Sequence, residues 1–202
     1  MAMFLGMELD DVLDITLLQR MSAGQVDGTI QTNRESWSLW SFTITPPEDF
    51  LGMDKVAAKL MAHYLRTLDT PFMLPVPQHQ GVEAPAAGVT LRLTEGGSVL
   101  SDELAVTNAG LSVGVIDEGI FFTISGDTRL YAIKELNGKT IAPAATQTVE
   151  IFPRLGRAAA NNATLNLRNP QARVIYDPTD RYELLYRQNV FRKSLTLIEK
   201  PD

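Results

Sequence analysis

The chain has 202 residues, no cysteine and two histidines, with 45% hydrophobic and 21% charged side chains, the proportions of a globular protein rather than a disordered or fibrous one. Those counts exclude disulfide staples and thiolate metal sites and count against an all-protein zinc site. The net charge of −6 argues against a nucleic-acid binder, which needs a basic face to neutralise phosphate.

The charge is unevenly spread. Residues 1–83 carry 5 basic and 11 acidic side chains, residues 84–160 carry 6 and 8, and residues 161–202 carry 7 and 5. The balance reads first as a solvated acidic surface; the second reading is attraction between the acidic front and the weakly basic tail, within a subunit or between neighbours, although screened surface charges stabilise little individually. The opening Met-Ala-Met-Phe-Leu-Gly-Met passes directly to Glu8, Asp10, Asp11 and Asp14, without the basic segment of a signal peptide. No apolar run approaches the ~20 residues that cross a bilayer. The expectation is a soluble product made in the cytoplasm, with no membrane insertion.

In chain order, strands are expected over 12–21 and 29–31, with a turn at Ser22-Ala23-Gly24 between them. Residues 34–45 alternate, with Trp40, Phe42 and Ile44 on one face and Trp37 and Leu39 on the other. Large apolar residues on both faces predict a strand covered on both sides, and Pro46-Pro47 ends it. Phe50, Met53, Ala57, Leu60, Met61, Tyr64 and Leu68 then recur at three- and four-residue intervals, which predicts one amphipathic helix. Asp69-Thr70-Pro71 stops it, and the proline-rich 72–77 reads as an edge strand or extended linker.

A connector is expected near 81–88. Short strands follow over 89–94, 104–107, 112–116, 120–125, 129–135 and 148–152, separated by turn sequences such as Glu95-Gly96-Gly97, Asn108-Ala109-Gly110, Asp117-Glu118-Gly119, Ser125-Gly126-Asp127 and Asn137-Gly138. This spacing predicts a small barrel or sandwich. Residues 154–162 read as a loop, 165–168 and 172–176 as strands, and the stretch to Ile198 as a terminal strand in which Leu195 and Leu197 share a face. The expected fold is mainly β (α+β): a first domain of residues 1–83 and 161–202 with one helix, into which an all-β module of residues 84–160 is inserted.

Candidate chemistry is sparse. Asp10, Asp11 and Asp14 lack the spaced oxygens and glycine of a calcium loop and read as a solvated loop. His63 has no nucleophile nearby in sequence and reads as a structural or surface histidine, and Ser38 and Ser41 lack a nucleophile-elbow pattern. Gly96-Gly97 and Ser125-Gly126-Asp127 precede no helix and are turns rather than phosphate loops. No cofactor, metal or catalytic residue is expected. Phe121, Phe122 and Tyr131 would face a ligand if they lay on an exposed barrel face, and alternation predicts that one of Phe121 and Phe122 is core and the other exposed.

Several local sequences, taken in order, resemble the distal tail proteins of long-tailed, non-contractile bacteriophages. They are Ser22-Ala23-Gly24-Gln25 leading to the tryptophan strand that ends at Pro46-Pro47, and the helix with its exit Thr67-Leu68-Asp69-Thr70-Pro71-Phe72. Asp117-Glu118-Gly119-Ile120-Phe121-Phe122, Arg129-Leu130-Tyr131-Ala132-Ile133, Val149-Glu150-Ile151-Phe152-Pro153 and the terminal strand from Phe191 to Glu199 complete them. The chain has Glu118-Gly119 where that family commonly has Gly-Asp. The resemblance implies a ring-forming domain with an inserted barrel of the oligonucleotide/oligosaccharide-binding type, assembled as a hexamer with itself. It implies a non-enzymatic virion protein at the tail tip, contacting the tail tube, tail hub and tape-measure proteins, with DNA passing through the lumen unbound. Trp37, Leu39, Trp40, Phe42, Ile44, Leu195 and Leu197 are the expected interface or core residues. The alternative function is a carbohydrate-binding module whose barrel aromatics contact a host-surface glycan.

Overall fold

The computed structural model describes residues 2–5, 7–26, 29–45, 54–67, 69–78, 82, 85–86, 88–136, 138, 140–178 and 194–201, and the side chains of these apart from 11, 19–37, 54–58, 60–61 and 136. The fold is mainly β with a single α-helix among the described residues.

The chain opens with a small hairpin, β1 (Met3–Phe4) and β2 (Met7–Glu8), and a 3-10 turn at Leu9–Asp11. A long hairpin follows, β3 (Leu13–Val26) and β4 (Thr29–Ile44), then α1 (Asp54–Thr67) and β5 (Phe72–Pro75). The middle contributes β6 (Leu91–Leu93), β7 (Glu103–Asn108), β8 (Gly114–Val115), β9 (Phe121–Ile124), β10 (Tyr131–Leu136), β11 (Thr140–Ile141), β12 (Thr146–Phe152) and β13 (Thr164–Asn166). β14 (Gln171–Tyr176) and β15 (Leu195–Glu199) close the chain.

Both ends of the sequence build one five-stranded sheet in the order β3-β4-β15-β14-β5. Antiparallel pairing aligns its inward residues in rows: Leu13–Ile44–Leu195, Ile15–Phe42–Leu197–Tyr176, and Leu17 with Trp40. Alternation therefore puts Trp40, Phe42 and Ile44 on one face, where they join Leu195, Leu197, Val174 and Leu74 in the sheet's core. Helix α1 lies on that side through His63 and Tyr64, whose rings meet Phe72 and Tyr176 edge-on. The expected edge strand at 72–77 is β5, where proline costs no ladder hydrogen bond on the solvent side.

The strands between form a closed barrel, β10-β12-β7-β6-β13-β9, with β8 and β11 paired beside it. Leu91, Leu93, Leu104, Val106, Phe122, Tyr131, Ile133, Val149 and Ile151 fill it. Six strands close this barrel, one more than the oligonucleotide/oligosaccharide-binding pattern of five. β13 is the sixth, so the barrel runs past the expected end at residue 160. Glycine permits one tight crossing between the segments that precede β6 and follow β7: a Cβ at Gly110 would overlap the carbonyl oxygen of Gly88, itself at φ +98°.

The expected turn at Ser22-Ala23-Gly24 is corrected by the structure. These residues continue β3, paired with Asn33, Thr32 and Gln31, and the pair Val26–Thr29 leaves Asp27-Gly28 between the strands. Asp-Gly is a strong two-residue hairpin sequence; the small residues upstream mimic a turn. The expected helix start from Phe50, residue Leu68 and most of the expected stretch before β15 lie outside the described residues.

Candidate functional site

Two features stand out: the free end of the β3–β4 hairpin and the seam between sheet and barrel. In the hairpin, β15 pairs with β4 only across residues 41–44. From the pair Gln19–Ser38 to the pair Val26–Thr29, β3 and β4 pair with each other and, among the described residues, with no third strand. At about 3.3 Å per residue this arm projects roughly 23 Å. Its register shifts between Gln19 and Met21, where Arg20 stands opposite Glu35, Ser36 and Trp37, an irregularity of the kind that bends and twists a ribbon. Among the described residues β3 is also the sheet's edge along its whole length, whereas the other edge, β5, is short and bounded by Pro71 and Pro75. The outer face carries exposed Leu18 and Met73 and half-buried Leu39.

The seam is denser. Trp40 is 8% exposed; its ring meets Phe121 and Phe152 edge-on at 5.5 and 6.0 Å. Its indole N–H donates to the Leu130 carbonyl at 2.9 Å. The Glu199 carboxylate, 2% exposed, accepts the Leu130 N–H at 2.7 Å and the Trp40 N–H at 3.2 Å. Leu130 is thus held at both its N–H and its carbonyl by residues of the sheet. Arg129 donates to the Ser38 carbonyl, while its Nε is buried without an acceptor. Burial pushes the Glu199 carboxyl up to about 7, against the opposing pull of the two backbone N–H donors and Arg129.

The two connections into and out of the barrel run side by side. Val76 N–H donates to Pro170 O at 2.9 Å. Gln78 donates to the carbonyls of Phe121 and Leu167, both at 2.8 Å, and accepts from the Phe121 N–H at 2.7 Å. Beside this crossing lies a cleft of about 600 Å³ whose lining includes Ala2, Asp10, Pro77, Gln78, Arg168 and Gln171. Among its described lining residues the only ionisable groups are Asp10 and Arg168, and Arg168 already donates to Pro85 O at 3.1 Å.

The barrel aromatics are placed otherwise than alternation predicts. Phe121, Phe122 and Tyr131 are all buried. Phe122 and Tyr131 stack inside the barrel at 5.6 Å, and the Tyr131 hydroxyl donates to Asp127 at 2.7 Å. Phe121 points the other way, but the sheet covers that side of β9, so it enters the sheet's core beside Trp40. None of the three rings is open to a ligand. Of the expected interface or core residues, Trp40, Phe42, Ile44, Leu195 and Leu197 are core; Leu39 is half-buried, and the Trp37 side chain lies outside the described residues. Glu199 and Gln78 escape sequence reasoning, because a lone carboxylate in a terminal strand and a glutamine in a connector carry no local signal.

His63 is buried, with Nδ1 2.9 Å from the Tyr176 hydroxyl. Burial, then Arg66, holds it below its ordinary pKa. Among the described residues no three histidine or carboxylate side chains gather as a metal set. No protein-family model matches the chain, and a search of curated proteins finds no significant match.

Proposed function

We propose that this chain is a structural subunit that assembles with copies of itself into a closed ring, and that the ring is the distal tail ring of a long-tailed phage, joining tail tube to tail-tip hub. The observation that carries the reading is the β3–β4 arm. A long open strand edge is a template for pairing with another chain, and the arm continues it beyond the sheet with no third strand among the described residues. The opposite edge is short and blunted by proline, so the two edges cannot meet as equals. Contacts between unlike surfaces are heterologous, and they close into rings when the rotation per subunit permits. The apolar outer face at Leu18, Leu39 and Met73 gives the neighbour something to cover.

The phage assignment rests on the order of segments that resembles the distal tail proteins, together with a barrel held between the two parts of the sheet domain. In this reading the six-stranded barrel projects from the ring. The acidic first region would discourage DNA from adhering in passage. The ring proposal is tested by replacing residues 22–33 with an Asn-Gly turn, which shortens the arm while retaining the sheet. Sedimentation velocity should then find the wild type as a single large species and the variant as a folded monomer. Unchanged assembly in the variant removes the arm from the interface.

A further inference from the structure

We propose that Glu199 is a proton-controlled clasp: its buried carboxyl fastens the barrel to the sheet through the Trp40 and Leu130 N–H groups, and the seam loosens as that carboxyl ionises. The inference does not depend on ring assembly.

The geometry assigns this role because Glu199 is the one carboxylate, among the described residues, that takes a hydrogen bond from each side of the seam. Trp40 belongs to β4 of the sheet and Leu130 to the loop entering β10 of the barrel, and both N–H groups end on the same carboxyl. Other inward positions of the sheet nearby are apolar: Phe42, Leu197, Val174. Glu199 has no ion-pair partner among the described residues. The charged groups acting on it from the barrel are Arg129, which favours the ionised form, and Asp127, which opposes it. The charged residues along the neighbouring chain are Arg173 of β14 and Lys200, the next residue in the chain; β4 presents Ser38 and Trp40 on its side of the seam.

Two backbone donors and a nearby guanidinium offset only part of the cost of holding a carboxylate away from water. Burial dominates, so the closed seam holds the proton up to about pH 7 rather than the ordinary 4.5. With the seam open, the carboxyl meets water and loses the proton at its ordinary value. The closed state therefore binds more protons between these limits, and closure weakens as pH rises through that window. Every pH step of one between the open and closed midpoints is a factor of ten in proton affinity, so opening becomes on the order of a hundredfold more favourable across the window. Arg129 Nε, buried without an acceptor, regains water on opening and lowers the cost further.

The test is hydrogen exchange of the full chain, with rates expressed as protection factors so that intrinsic pH effects cancel. Protection of the Leu130 amide, the Trp40 amide and the Trp40 indole N–H should fall on the order of a hundredfold from pH 4.5 to 8, while amides shared by β7 and β12 hold. Glu199→Gln should flatten that dependence. Should the variant not fold, carbon-detected titration of the wild-type Glu199 carboxyl decides the matter, with a midpoint near 7 expected. A midpoint in the ordinary carboxylate range, seam protection that does not move with pH, or an equal loss throughout the barrel would each overturn the clasp.

Discussion

Replacing Trp40 separates the seam's hydrogen bond from its packing. Trp40→Phe retains an aromatic ring against Phe121 and Phe152 but removes the indole N–H, leaving the Leu130 carbonyl without that donor. An orphaned buried acceptor costs about 1–3 kcal/mol. Trp40→Ala removes the ring as well, and a buried tryptophan truncation costs about 3–5 kcal/mol. Against a typical domain stability of about 5–15 kcal/mol, the alanine variant is marginal and the phenylalanine variant folded. Urea unfolding followed by circular dichroism should order the three proteins wild type, Phe, Ala. Hydrogen exchange should show faster opening at residues 121–132 of the barrel although the substitution lies in the sheet. If both variants fall within about 0.5 kcal/mol of wild type, or if exchange at 121–132 is unchanged, Trp40 does not couple the two parts and the seam is misdescribed.

Other outcomes follow from the same geometry. Because the folded state raises the Glu199 carboxyl to about 7 from 4.5, its contribution is full below pH 4.5 and lost as pH rises through 7. The stability of wild type relative to Glu199→Gln should therefore fall by roughly 3 kcal/mol between pH 4.5 and 8 in paired urea titrations. His63 has the opposite sign: its lowered pKa means that the unfolded chain binds the extra proton. Stability should drop as pH falls below about 6.5, and His63→Gln should remove that drop. Tyr131→Phe, which loses the hydroxyl's bond to Asp127, should cost about 1 kcal/mol of barrel stability without changing retention on glycan arrays. Retention that depended on Tyr131 would revive the carbohydrate reading. Leu197→Ala, at a fully buried position between β4 and β14, should cost about 2–5 kcal/mol and accelerate exchange in the sheet more than in the barrel.

What is legible in the sequence alone is governed by how local the physics is. Alternation between turn dipeptides marks most barrel strands, because each strand has one face on a single core. The same rule misplaces Phe121: its outward side is dry, covered by a sheet whose strands lie far away in sequence. β13 is separated from the barrel by a loop at 154–162 that looks like an exit, and only the pairing of Leu165 with Leu91 and Ile124 shows that it closes the ring of strands. The long arm is hidden by Ser22-Ala23-Gly24, residues that suit turns yet here sit in a ladder. Asp27-Gly28 is the stronger signal, and its weight shows only once the two strands are paired. The terminal strand is legible from Leu195 and Leu197, and its pairing with β4 ties the two ends of the chain together around the barrel. Glu199 carries no mark at all, since its role exists only where Trp40 and Leu130 approach it from distant parts of the chain.

Whether copies of the chain close into a ring is the central question, and electron microscopy of the purified protein in negative stain answers it most directly. Class averages should show closed rings of uniform subunit number with a central opening, and the variant lacking residues 22–33 should show none. A wild type that stays monomeric at every concentration, or that forms open filaments in place of rings, would contradict the proposed function.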